Sequence, residues 1–178
     1  MSTNELINIM KKHKENRFLL GIDGLSRSGK TTFVTNLKEN MKQESIPFHI
    51  FHIDDHIVER NKRYDTGYEE WYEYYYLQWD IEWLRQKFFR KLQNETKLNL
   101  PFYHDETDLC EMKKVQIPIV GVIVIEGVFL QRKEWRDFFT IWCIWIVQER
   151  HVFCGKAKRP KRNFRGFKIG IGRQRIIT

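Results

Sequence analysis

Residues Gly24 to Thr31 read Gly-Leu-Ser-Arg-Ser-Gly-Lys-Thr, which satisfies the spacing G-x-x-x-x-G-K-[ST]. Such a loop folds successive backbone N–H groups into one concavity, and the helix that opens at its end adds a positive dipole. The ligand that suits this chemistry is a polyphosphate. Gly24, Leu25, Ser26, Arg27, Ser28, Gly29, Lys30, Thr31 and Thr32 are expected to bind it as the phosphates of a nucleoside triphosphate. Lys30 would reach the β- and γ-phosphate oxygens, and the Thr31 hydroxyl would hold Mg²⁺. The apolar run Phe18 to Asp23 ahead of the loop has strand character, and Thr32 to Met41 behind it is amphipathic. That strand-loop-helix setting is what the motif requires.

Three acidic positions fall where further strands should end. Asp54 and Asp55 close an alternating apolar stretch, Ile46 to Ile53, and Glu126 follows the β-branched run Ile117 to Ile125 and precedes Gly127. Carboxylates there can serve phosphoryl transfer in two ways: one accepts the proton of an attacking hydroxyl, another positions Mg²⁺. A strand-end aspartate can also cap a turn or helix, and that alternative stays open for Asp54 and Asp55. Glu126 after nine mostly apolar residues would be costly unless it met a cation or donors. Asp23 either orients the loop backbone or ends its strand. His49, His52 and His56 cluster near the second strand end, but alternation sends His49 and His52 to opposite faces, so a histidine metal site is not expected. The aromatic segment Trp71 to Trp83 reads as core, with one or two rings available to line a nucleobase pocket.

These residues need a scaffold. Strands alternating with helices behind a phosphate loop predict an α/β fold of three layers, a parallel central sheet flanked by helices, with ligands at the carboxyl ends of the strands. The coarse order is a short helix marked by Leu6, Ile7 and Met10, the first strand, a helix to about Asn40, and a second strand over 46–53. One or two helices follow over 68–92, then an extended segment over 98–103, a polar stretch over 104–108 and a strand over 117–125. The 178 residues suit one domain. The formal net charge of +8 is a tail property: residues 1–140 hold 21 Lys and Arg against 22 Asp and Glu, whereas residues 141–178 hold 10 against 1. A core over 1–147 and a basic, poorly ordered tail over 148–178 are therefore expected. Cys110, Cys143 and Cys154 lack the spacing of a disulfide framework or a zinc site. No run nears the roughly 20 apolar residues of a membrane span, and the first residues lack a signal-peptide core. A cytoplasmic protein with no membrane partner is expected.

With the loop, Asp54, Pro101-Phe102-Tyr103 and Val124-Ile125-Glu126-Gly127, the stretch from Arg17 to Asp137 resembles the uridine kinase and phosphoribulokinase-like family of P-loop kinases. The resemblance implies an ATP- and Mg²⁺-dependent kinase that phosphorylates a hydroxyl of a nucleoside-like small molecule. It assigns catalysis to Lys30 and Asp54, with Asp54 as general base, the metal to Thr31 and Glu126, and acceptor binding to Asp54, Asp55 and Tyr103. Two departures stand out. The family has a base-contacting histidine five residues after that tyrosine, where this chain has Asp108. It also continues into a further core strand and an arginine-rich lid, whereas here an apolar segment, Ile141 to Val147, leads into the basic tail. Codons compatible with Thr140 onward, read one frame over, can spell an alternating strand and then an arginine-rich helix. A one-base insertion or deletion near Phe138 to Thr140 is therefore expected, with impaired phosphoryl transfer as its consequence. The rival readings are an NTPase without a small-molecule acceptor, which as a GTPase would want the N-K-x-D segment this sequence lacks, and a nucleic-acid binder acting through the basic tail without sequence specificity.

Overall fold

Alternate residues of β1 (Arg17–Gly24) feed two different cores, which is why the strand is apolar on both faces. We describe a computed structural model in which residues 3–13, 16–146 and 151–156 are placed, Ile146 and 151–156 by backbone alone. Leu19 joins Ile123 and Ile125 against Trp79, Leu84, Phe88, Phe89, Leu92 and Trp135. Phe18, Leu20 and Ile22 join Val122 and Val124 against Phe33, Val34, Leu37 and Met41 of α2 (Lys30–Gln43) and Leu6, Ile7 and Met10 of α1 (Thr3–Lys12). The sheet between these layers has the order β2-β5-β1-β6-β7, with β2 (Phe48–His52), β5 (Gly121–Gly127) and β6 (Ile141–Ile146) parallel to their neighbours and β7 (His151–Lys156) antiparallel at the edge. Every residue of β5 is buried. The layered architecture anticipated from the alternation of strands and helices is the one found.

The boundaries differ for local reasons. β2 begins at Phe48 because Pro47 cannot donate to a ladder; its carbonyl instead accepts the Val122 N–H at 2.8 Å. β5 begins at Gly121, beyond Pro118, leaving Ile119 exposed. The segment over 68–92 is a broken run of short helices, Glu70–Tyr72, Glu73–Leu77, Ile81–Trp83 and Leu84–Phe89, interrupted at Asp80, whose carboxylate caps the Trp83 N–H. The extended segment pairs as β3 (Lys97–His104) with β4 (Leu109–Gln116), a strand the sequence reading did not anticipate. Its exposed, charge-rich face carries no apolar stripe, and the turn into it uses Asp108 at φ 55°.

Of the basic tail expected over 148–178, residues 151–156 form β7 and the rest lies outside the described residues, including Arg150, Arg159 and Arg162. The β6–β7 register sets Cys143 opposite Cys154, and Cys143 is disulfide-bonded. The sequence reading, which found no spacing of a disulfide framework among the three cysteines, did not anticipate this bond; Cys110 is free.

Candidate active site

The carboxyl ends of β1, β2 and β5 meet at one edge of the sheet. Register places Asp23 beside Gly127 and His52 beside Glu126, so each predicted chemical group arrives on a rigid strand or on the first residues beyond it. The phosphate loop follows β1. Gly29, immediately before α2, has φ +92°, which a side chain would strain. Arg27 also holds a positive φ of 57°. Leu25, Ser26 and Arg27 are exposed, as are Thr31 and Thr32 at the helix start. The Ser28 Oγ is buried with no hydrogen-bond partner among the described residues.

Lys30 is only 5% exposed and its Nζ turns into the loop, donating to the carbonyls of Gly24 at 2.9 Å and Leu25 at 2.7 Å. It lies 3.9 Å from Glu126 Oε1. Glu126, 8% exposed, also accepts from His52 Nδ1 at 2.7 Å. The cost of a carboxylate after nine mostly apolar residues is thus offset by the Lys30 ammonium and the His52 imidazole. That hydrogen bond is the main reason the His52 imidazole is held above its ordinary pKa. His52 was weighed in sequence only as a metal ligand; its role toward Glu126 depends on the parallel pairing of β2 with β5, which one strand's pattern does not disclose.

Asp54 and Asp55 sit on the exposed side of a single 3₁₀ turn, Ile53–His56, that continues β2. The Asp54 carboxyl is pushed above its ordinary pKa first by its protein surroundings and then by the charge of Glu126, with Lys30 pulling the other way. Asp54, Glu126 and Lys30 therefore share one electrostatic field. A carboxyl shifted upward in this manner accepts a proton more readily near neutral pH. The turn is fixed from behind by the Trp79 indole, which donates to the Ile53 carbonyl at 2.9 Å, and by His56, whose Nδ1 meets the Pro101 carbonyl at 2.6 Å.

That last bond anchors β3 and with it Tyr103. The Tyr103 hydroxyl accepts from Arg63 at 3.2 Å and donates to Asp108 at 3.0 Å. Asp108 is held below its ordinary pKa, chiefly by the Arg60 backbone N–H at 2.8 Å. Asp108, which stands where the resemblance has histidine, is thus tied to Tyr103. Arg63, buried and donating to Val58, Tyr64, Gln78 and Tyr103 oxygens, went unread in sequence because it ends a short charged run with Arg60 and Lys62, which looks like solvated surface. Tyr74 packs edge-on against Phe129 at 5.2 Å; burial and then the Asp54 charge raise its phenol pKa. The oxygens that the chain offers here, the Thr31 hydroxyl beside Lys30 in sequence, the Glu126 carboxylate 3.9 Å from Lys30 Nζ and the Asp54 carboxylate after β2, are of the hard type that suits Mg²⁺. The unpartnered Ser28 Oγ and the inward-turned Lys30 suit an anionic phosphate.

No curated protein sequence matches the chain. Among solved structures, a possible uridine kinase from Bacillus stearothermophilus is 51% identical, with TM-score 0.75 over 80% of this chain and 78% of that one. A protein from Silicibacter sp. TM1040, named provisionally as a fructose transport system kinase, shares the fold at 19% identity, with TM-score 0.60 over 81% of this chain and 74% of that one. The family model for phosphoribulokinase and uridine kinase matches residues 19–137. That span holds the phosphate loop, Asp54, Tyr103 and Glu126, and the chain, a P-loop kinase, belongs to the phosphoribulokinase/uridine kinase family.

Proposed function

We propose that this kinase transfers the γ-phosphoryl group of ATP to a hydroxyl of a nucleoside-like small molecule. The observation that carries the reading is the buried pairing of Lys30 with Glu126 at the foot of the phosphate loop, within the electrostatic reach of Asp54. The loop amides of 24–31 and Lys30 bind the β- and γ-phosphates. Thr31 and Glu126 are the residues suited to hold Mg²⁺, which when bound neutralises charge on the phosphate oxygens. Asp54 takes the acceptor's proton as the acceptor oxygen bonds to phosphorus and the γ-phosphorus–oxygen bond to ADP breaks. Tyr103 and Asp55 line the acceptor side. Positioning and charge neutralisation carry the catalysis, since the protein forms no covalent bond in this reaction.

The family match ends at Asp137, beside the place where the reading-frame break is inferred, and β6 leads towards an antiparallel edge strand rather than the arginine-rich helix the resemblance implies. This supports slow turnover: lid arginines can supply a factor of about 10³ or more in rate. The test is ATP consumption in the presence of uridine, cytidine, pantothenate and sugar phosphates, each compared with the Asp54→Asn variant. Asp54→Asn is expected to lower kcat by about 10²–10⁴ while Mg-ADP affinity persists. A variant that turns over its acceptor as fast as the parent removes Asp54 from the mechanism.

A further inference from the structure

Asp23 makes a set of contacts that the proposed reaction does not use. It is 7% exposed at the end of β1. Its Oδ1 accepts the N–H of Gly24, the first residue of the phosphate loop, at 2.8 Å, and its Oδ2 accepts the N–H of Gln131 at 3.0 Å. The Phe129 N–H also points to it. One carboxylate thus gathers amides from two loops that leave adjacent parallel strands, the phosphate loop after β1 and the segment over 128–131 after β5. N–H donors on both of its oxygens call for an acceptor-only partner, and an ionised carboxylate is one. Burial raises the pKa of Asp23 above its ordinary value, and these amides, with Lys30, offset only part of that rise.

The second loop is strained where Asp23 holds it. Phe129 has φ 57°, a left-handed conformation that a bulky residue adopts only under constraint. The constraint presents its ring to Tyr74 at 5.2 Å and Tyr75 at 5.0 Å, both edge-on. Tyr74 in turn lies where the Asp54 charge acts on its phenol. A continuous path runs from the phosphate loop through the Asp23 carboxylate to Phe129, then Tyr74, and so to the acceptor side of the cleft.

We infer that Asp23 is a positioning residue: it couples the phosphate loop to the segment over 128–131, so that filling the loop with nucleotide orders the Phe129–Tyr74 wall beside Asp54. The inference rests on the nucleotide-binding reading above. A strand terminator alone would need neither the Gln131 contact nor a strained Phe129.

Amide hydrogen exchange of the full chain, with and without Mg-ADP, separates the two levels of the argument. In the parent, Mg-ADP is expected to slow exchange both over 24–33, which reports occupancy of the loop, and over 128–132, which reports coupling. Asp23→Asn replaces one acceptor oxygen by an amide donor that faces an N–H. It is expected to keep the protection over 24–33 and to exchange about tenfold faster over 128–132 with ADP bound, the loss of a hydrogen bond to a charged group. Protection over 24–33 in the parent with none over 128–132, or an Asp23→Asn variant that retains the second, overturns the coupling. No protection over 24–33 in the parent overturns the nucleotide reading itself. Should Asp23→Asn fail to fold, Phe129→Val tests the same link, because a β-branched residue resists positive φ. It is expected to weaken protection over 128–132 alone, and parent-like protection there overturns the proposal.

Discussion

Gly127 closes β5 directly behind Glu126, and adding a single methyl group there should disrupt the site without touching any charged residue. A Cβ built on Gly127 falls inside the van der Waals envelope of Ile53 Cγ2, with Ile53 Cβ 3.2 Å away and its backbone nitrogen 3.8 Å away. Ile53 cannot yield: it is fully buried, β-branched, and its carbonyl is pinned by the Trp79 indole. The methyl is accommodated only if the end of β5 or the turn Ile53–His56 moves, and that turn carries Asp54. Overpacking of this kind costs about 1–3 kcal/mol, which at this chain length lowers Tm by about 2–4 °C per kcal/mol. A shift of about 1 Å in a catalytic group can cost about 10² in kcat. Gly127→Ala is therefore expected to lose both stability and turnover, measured by thermal unfolding and by ADP release with the acceptor the screen identifies. Gly67→Ala is the control. It has nothing within 4 Å of the added atom but sits at φ +84°, so it should show a strain cost in Tm without the loss of kcat. A Gly127→Ala protein with the parent's Tm and kcat would refute the packing argument.

Two further perturbations probe the loop and the turn behind Asp54. The Trp145 indole donates to the Ser28 carbonyl at 2.7 Å and packs on Phe33 at 4.9 Å between ring centroids; Trp145→Phe is expected to lower stability by about 1 kcal/mol and weaken Mg-ADP binding by calorimetry, and an unchanged affinity would show that the brace does not shape the loop. His56 is held below its ordinary pKa by burial, so its contribution to folding is present above the unfolded value of about 6.5 and is lost as pH falls below it. His56→Asn is expected to flatten the decline of the urea midpoint between pH 7 and 5, and a parent-like decline would dismiss His56 as the cause.

The phosphate loop was legible because its chemistry is written in consecutive residues: glycine where φ is positive at Gly29, lysine and threonine at the helix start, an apolar strand before them. Asp54, Asp55 and Glu126 were legible as strand ends because an acid after a β-branched run has few places to go, and the sheet does bring the three to one edge. The three-layer fold was legible for the same reason, since β1 and β5 are apolar on both faces and α2 on one. The glycine of Glu126-Gly127 was legible only as a motif letter. Its physical cause is Ile53, which lies seventy-odd positions away in sequence and packs where a side chain would be.

What the sequence withheld were contacts made across strands or across loops. β4 has no apolar stripe to announce it, because its hairpin with β3 stands outside the main sheet. His52 was read by its own alternation, whereas its partner is chosen by the register between β2 and β5. Asp23 stood as either loop-orienting or strand-ending because one of its two hydrogen bonds comes from Gln131, over a hundred positions on. The pattern is physical: a residue's type and neighbours fix which face it takes, but the charge it meets there is set by pairing between elements, and in this site every buried ionisable group is balanced by a group from another strand or loop. Glu126 is matched by Lys30 and His52, and Asp23 by backbone amides after β5. Exchanging one of these groups for a neutral one therefore leaves its partner uncompensated in the interior, which is costlier than losing the contact itself.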